Sequence, residues 1–148
     1  MAVNVTAPLP GSVIPLADVP DPVFSSGMVG PGLAIDPDRG PGTVVSPVSG
    51  TLVRLKPYAF VVAEGGRSVL VHLGIDTVKL AGEGFEMLAR EGDGVEAGQP
   101  VVRWNPADVE ARGLSPVCPV VALDGDPAAL DDLMSGPVNT GAALFTWN

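Results

Sequence analysis

Only one side chain in this sequence has an unperturbed pKa near neutrality, and that is His72, the single histidine. It lies in Val69-Leu70-Val71-His72-Leu73-Gly74-Ile75-Asp76-Thr77. Strand periodicity puts Val69, Val71 and Leu73 on one face and Leu70 and His72 on the other. With the first face turned to a core, His72 points outward beside an apolar neighbour. Gly74 then permits a positive φ or a close backbone approach, and Asp76 brings a carboxylate back towards the imidazole. An imidazole held in this way can act as a nucleophile in group transfer. The plainer alternative is a strand-end histidine that only satisfies a hydrogen bond. Cys118 is the single cysteine, which excludes an internal disulfide framework and any multi-cysteine metal site.

The elements that must position His72 read as strands. Short Val-rich runs recur at Val44 to Val48, Thr51 to Leu55, Ala59 to Ala63, Ser68 to Leu73, Pro100 to Trp104, Val117 to Leu123 and Ala142 to Trp147. Each is closed by Gly, Pro or Asp within a few residues, which is the pattern of strands joined by turns. The expectation is an all-β fold, a compact antiparallel β-sandwich or barrel with at most one or two short helices. One helix is expected where Asp126-Pro127 precedes Ala128 to Met134, with Gly136 just beyond. Pro8-Leu9-Pro10-Gly11-Ser12-Val13 is echoed by Pro47-Val48-Ser49-Gly50-Thr51-Leu52, an offset of 39 residues. Ser115-Pro116-Val117 echoes Ser46-Pro47-Val48 as well. If the echo is structural, the fold has two similar halves; otherwise it is chance in a chain rich in Pro and Gly.

A chain of 148 residues suits one domain, residues 1–148, with no polar linker to divide it. Apolar residues make up 46% and charged residues 17%, which excludes a disordered chain despite 19 Gly and 16 Pro. Net charge is −9, and the eight basic residues are scattered singly, so no patch exists to neutralise phosphates and nucleic-acid binding is excluded. The opening residues lack a basic segment followed by an apolar core, and no stretch approaches about 18 uninterrupted apolar residues. The expectation is a protein that is neither exported nor inserted in a membrane and that resides in a reducing cytoplasm.

Val71-His72-Leu73-Gly74-Ile75-Asp76-Thr77-Val78, followed by Gly82-Glu83-Gly84-Phe85, resembles the phosphorylation-site signature of the glucose-type enzyme IIA of the bacterial phosphoenolpyruvate-dependent sugar phosphotransferase system. The resemblance continues upstream through Ala17-Asp18-Val19-Pro20-Asp21-Pro22-Val23-Phe24, Met28-Val29-Gly30-Pro31-Gly32-Leu33-Ala34-Ile35 and Ser46-Pro47-Val48-Ser49-Gly50-Thr51. Downstream it takes in Glu91-Gly92-Asp93-Gly94-Val95 and Gly98-Gln99-Pro100-Val101-Val102, weakening after about Leu123. It implies an antiparallel β-sandwich whose one histidine takes a phosphoryl group from the phosphocarrier HPr and passes it to a cysteine of a sugar-specific IIB, which serves a membrane-embedded IIC. By position that histidine is His72, and Asp76 matches an acidic residue of the motif. No cofactor is implied.

The chain departs from the family where a second histidine is expected in a segment reading roughly His-Ala-Phe. Here it reads Lys56-Pro57-Tyr58-Ala59-Phe60, with Tyr58 at the position of that histidine and Lys56 near a position often held by a hydroxyl residue. A second imidazole can take up positive charge as negative charge develops on a phosphoryl group, whereas a phenol of pKa near 10 offers only a neutral donor. Lys56 could supply the missing cation, or be a solvated loop charge. The motif-matched Val23, Phe24, Met28, Val29, Leu70 and Val78 are expected to form an apolar ring around His72 on which partners dock. With one histidine the ligands for an autonomous zinc site are lacking. Two functions are open: a phosphocarrier, or a catalytically impaired relative that regulates metabolic or transport proteins by binding alone. Gly92 to Val101 also resembles biotinyl and lipoyl carrier hairpins, but neither Lys56 nor Lys79 stands in the expected carrier motif.

Overall fold

In the computed structural model, which describes residues 2–148, the Val-rich alternation forms fourteen strands and two short α-helices among those residues. The strands are β1 (Val3–Thr6), β2 (Gly11–Pro15), β3 (Gly32–Pro37), β4 (Gly42–Val45), β5 (Gly50–Lys56), β6 (Ala59–Glu64), β7 (Arg67–His72), β8 (Glu86–Met87), β9 (Gly94–Val95), β10 (Pro100–Trp104), β11 (Cys118–Ala122), β12 (Leu130–Asp131), β13 (Gly136–Val138) and β14 (Ala143–Trp147). The helices are α1 (Pro22–Ser25) and α2 (Pro106–Ala111). Each of the seven Val-rich runs contains a strand, although of Val44 to Val48 only Val44 and Val45 belong to β4. β1, β2, β3, β8, β9, β12 and β13 are not among them: Val-Asn-Val-Thr and Gly-Ser-Val-Ile-Pro carry no contiguous apolar run, β3 has Leu-Ala-Ile without valine, and the other four are only two or three residues long.

An eight-stranded antiparallel sheet of order β13-β2-β3-β11-β7-β6-β5-β9 is joined by two three-stranded sheets, β1-β14-β12 and β4-β10-β8. The order is a palindrome in kind. From the central β11-β7 seam the sheet runs outward through β3, β2 and β13 on one side and through β6, β5 and β9 on the other. The echo at an offset of 39 residues is the sequence trace of this symmetry. The Thr6 N–H donates to the Pro47 carbonyl at 3.0 Å and the Val45 N–H to the Pro8 carbonyl at 2.9 Å, so one contact is made twice about a local two-fold. Gly11 and Gly50 are likewise equivalent: a Cβ would lie 2.2 Å from the Asp36 carbonyl oxygen in one and 2.3 Å from that of Ala63 in the other. Both positions therefore require glycine.

Phe60, Leu52, Val71, Val102 and Leu144 are fully buried within the main core, where the sheet faces meet. A second, smaller cluster of Leu16, Val19, Phe24, Ala34, Ile75 and Val121 lies apart from it, flanked by half-buried Val29 and Leu70. Along β7 the inward residues Val69 and Val71 belong to the main core, while Leu70 and His72 are half-buried on the other face, as the alternation requires.

The helix expected over Ala128 to Met134 does not form. Asp126 does accept from the Ala128 N–H at 2.9 Å, but the helical segment is a single 3-10 turn, Pro127–Ala129. Leu130 and Asp131 instead pair with Trp147 and Thr146 of β14. Sheet pairing satisfies the backbone of Leu130 and Asp131 while burying Leu130. The same cap-and-proline signature does start helices at Asp21-Pro22, where the Val23 N–H meets Asp21 Oδ1 at 2.9 Å, and at Asn105-Pro106, where the Ala107 N–H meets Asn105 Oδ1 at 3.0 Å.

Candidate active site

His72 ends β7, where pairing places Ala59 of β6 directly opposite it and Lys56 of β5 directly opposite Ala59. Residues opposite one another across a ladder project to the same face, so Lys56, Ala59 and His72 form one row on the outer face of the sheet. Their chain neighbours Leu55, Phe60 and Val71 form the matching row on the core side. The β5-β6 connection is the two-residue turn Pro57-Tyr58, which lifts the phenol beside the imidazole. The Tyr58 and His72 rings are 5.6 Å apart between centroids, and Phe24 of α1 stands at 5.3 Å from the same imidazole.

The histidine is oriented by its own chain. His72 Nδ1 lies 2.6 Å from the Gly74 carbonyl oxygen. A carbonyl can only accept, so the proton is assigned to Nδ1 and the lone pair to Nε2. Gly74 turns back with φ +78°, and a Cβ there would fall 2.6 Å from Thr77 Cγ2 and 3.0 Å from the Ser115 carbonyl oxygen. Three further bonds fix the turn: Leu73 N–H to the Tyr58 carbonyl at 2.7 Å, Ile75 N–H to the Ser115 carbonyl at 2.8 Å, and the buried Thr77 hydroxyl to the Leu73 carbonyl at 2.8 Å.

Desolvation holds the imidazole pKa below the ordinary 6.5, against the opposing pull of the Gly74 carbonyl and of the Asp21 and Asp76 charges. At neutral pH the ring is therefore neutral, with Nε2 unprotonated. Asp76 is exposed, adopts a left-handed φ of 61° and acts on the imidazole through its charge. Asp21, which caps α1, acts in the same way. The sequence reading did not single out Asp21 as a site residue; its Asp-Pro cap signature was the available signal.

The expected apolar ring is in part a floor. Met28, Val78 and Val23 are 75%, 57% and 42% exposed, whereas Val29 and Leu70 are half-buried. Phe24 is only 6% exposed and belongs to the second core cluster, because its ring packs under the outer face against His72. Phe24 is thus the buried member of the ring. Lys56 is exposed at the end of β5. Cys118 is fully buried on β11, where its thiol donates to the Pro116 carbonyl at 3.2 Å and burial pushes its pKa up to about 12. Such a thiol is inert.

A profile described as phosphoenolpyruvate-dependent sugar phosphotransferase system, EIIA 1, matches residues 3–127. The Staphylococcus aureus (strain N315) protein named PTS system glucose-specific EIIA component is 39% identical over 130 residues, which cover 86% of this chain and 77% of that protein. The Bacillus cereus protein of the same name is 40% identical over 128 residues, covering 84% of this chain and 76% of its own. A Corynebacterium glutamicum PTS system glucose-specific EIIBCA component is 39% identical over 127 residues, which are 84% of this chain but only 18% of that larger protein. Among solved structures, glucose permease IIA from Mycoplasma capricolum superposes with a TM-score of 0.92 at 32% identity, covering 99% of this chain and 96% of the other.

Proposed function

The chain belongs to the EIIA 1 family of the phosphoenolpyruvate-dependent sugar phosphotransferase system, and on that premise we propose that His72 is its phosphoacceptor. The broad function is that of a glucose-type EIIA phosphocarrier component. In the finer reading, Nε2 of His72 takes the phosphoryl group from the phosphohistidine of HPr and later yields it to a cysteine thiolate of a sugar-specific IIB. The observation that carries this is the bond from Nδ1 to the Gly74 carbonyl, which leaves Nε2 unprotonated.

The first transfer balances without a separate proton step. The phosphorus–nitrogen bond of the donor breaks, its ring leaves as neutral imidazole, and a phosphorus–nitrogen bond forms to Nε2. The His72 ring, already protonated at Nδ1, gains positive charge as the bond forms. The Gly74 carbonyl dipole and the charges of Asp21 and Asp76 lie where that ring charge develops. In the second transfer the pair of electrons returns to Nε2 as the thiolate sulfur bonds to phosphorus.

Tyr58, beside the imidazole, favours one rival: a protein that keeps the docking face and regulates by binding alone. The test is to mix the protein with phosphoenolpyruvate, enzyme I and HPr and to follow acid-labile label. We expect labelling of the native chain and none of His72→Ala, with the variant's circular dichroism unchanged. Label that persists in His72→Ala would refute the assignment; a native chain that binds HPr yet never labels would favour regulation.

A further inference from the structure

We infer that Lys56 supplies the positive charge that holds the phosphoryl group on His72, a reading that rests on His72 being the phosphoacceptor. Lys56, Ala59 and His72 lie in one row across β5, β6 and β7 and project to one face. Two interstrand steps of about 4.8 Å put the ends of that row roughly 10 Å apart at Cα. The residue between is alanine, whose methyl raises nothing between the two longer side chains. Lysine carries its ammonium on a flexible four-carbon stem, long enough to lean over Ala59 towards Nε2.

The charge is uncommitted. Arg39, Arg103 and Arg112 are held in ion pairs, whereas among the described residues the ammonium of Lys56 has no hydrogen bond or ion pair. The need for it is plain from the other groups that act on His72. Asp21 before α1 and Asp76 after β7 are both acidic, and Tyr58 offers a neutral hydroxyl. A phosphoryl dianion arriving at Nε2 meets two carboxylate fields and requires a compensating cation. Arg54 shares the β5 face but stands opposite Val61, two cross-strand pairs along the ladder from the row of His72. Lys79 lies beyond Asp76 in the 3-10 turn Thr77–Leu80.

Phosphorus NMR of the phosphorylated protein separates a charge that touches the phosphoryl group from a residue that only supports the hairpin. A neighbouring cation favours the dianion, so its removal moves the phosphoryl titration to higher pH. For Lys56→Met we expect that midpoint to rise by about one pH unit, and the rate of labelling by phospho-HPr to fall about 10²-fold. Lys56→Arg should keep the native midpoint, and Lys79→Met should match the native protein in both measurements. A native midpoint in Lys56→Met, or a shift seen in Lys79→Met instead, overturns the assignment to Lys56 while leaving His72 in place. A native chain that forms no phosphohistidine overturns both readings together.

Discussion

A neutral imidazole attacks only through the nitrogen that does not carry its proton, and in His72 a single backbone carbonyl makes that choice. The residue's uniqueness and outward face could be read from the sequence, because a two-residue period decides which side chains leave a sheet. The identity of its anchor could not. Gly74 drew notice as a turn residue, yet that its carbonyl, and not the carboxylate of Asp76, accepts from the ring depends on a φ of +78° that a sequence does not display. Tyr58 and Lys56 were legible as a substitution; their shared neighbourhood with His72 depends on the register of a two-residue hairpin. That neighbourhood makes their roles separable. If Lys56 already supplies the cation, Tyr58→His should change onward transfer to IIB by less than tenfold in the native background. In the Lys56→Met background the same substitution should restore transfer by about 10²-fold, because a protonatable ring then replaces the lost charge. Equal gains in both backgrounds, measured by label passed from the phosphorylated chain to IIB, would mean that the two side chains act independently.

At the level of elements, the strands followed from valine runs and turn residues, whereas the helices did not follow from helical periodicity. All the helical segments are one or two turns long, too short to carry a periodic pattern; Asp-Pro or Asn-Pro starts announce three of them, while the 3-10 turns Leu16–Asp18 and Thr77–Leu80 carry no such start. The misread segment after Asp126 had that start too; what decided against a helix was the free edge of β14, which no local signal reveals. The turn from Leu73 to Thr77 is the element on which the site depends, and Gly74 and Gly27 provide a matched pair to measure its tightness. Both have positive φ, +78° and +76°, but a Cβ at Gly27 meets nothing within 4 Å while one at Gly74 collides with Thr77 and the Ser115 carbonyl. Gly27→Ala should therefore cost only the left-handed strain, about 1–2 kcal/mol. Gly74→Ala adds displacement of buried neighbours, for a total of about 2–5 kcal/mol, and should slow labelling at His72 by moving the carbonyl that orients it. Urea unfolding of the two variants measures the difference; equal losses of stability would show that the turn yields freely.

The molecule as a whole is two similar halves joined at the β11-β7 seam, and the candidate site draws on both, His72 from one and α1 from the other. Symmetry explains why a faint echo in the sequence carried structural meaning: the same proline and glycine constraints recur where the same contact is made twice. The symmetry is broken where α1 and the turn after β7 lie around His72, over a small apolar cluster. Met28, Val78 and Val23 stand exposed on those two segments of an otherwise acidic protein, with Phe24 buried beneath them. Truncating Phe24 would therefore report on stability, at about 3–5 kcal/mol for a buried phenylalanine, and would confuse any measurement of docking. The informative substitutions are at the exposed rim. Met28→Ala and Val78→Ala should each weaken HPr binding by about 1–2 kcal/mol, or roughly fivefold to thirtyfold in Kd, without altering thermal stability. Leu133 and Met134 are also exposed, at 50% and 42%, but lie in the β12-β13 loop at the far edge of the eight-stranded sheet. Leu133→Ala and Met134→Ala are expected to leave binding unchanged. Titration calorimetry with HPr distinguishes the two sets, and a loss of affinity confined to the second would place the docking face at the β12-β13 edge, away from the histidine.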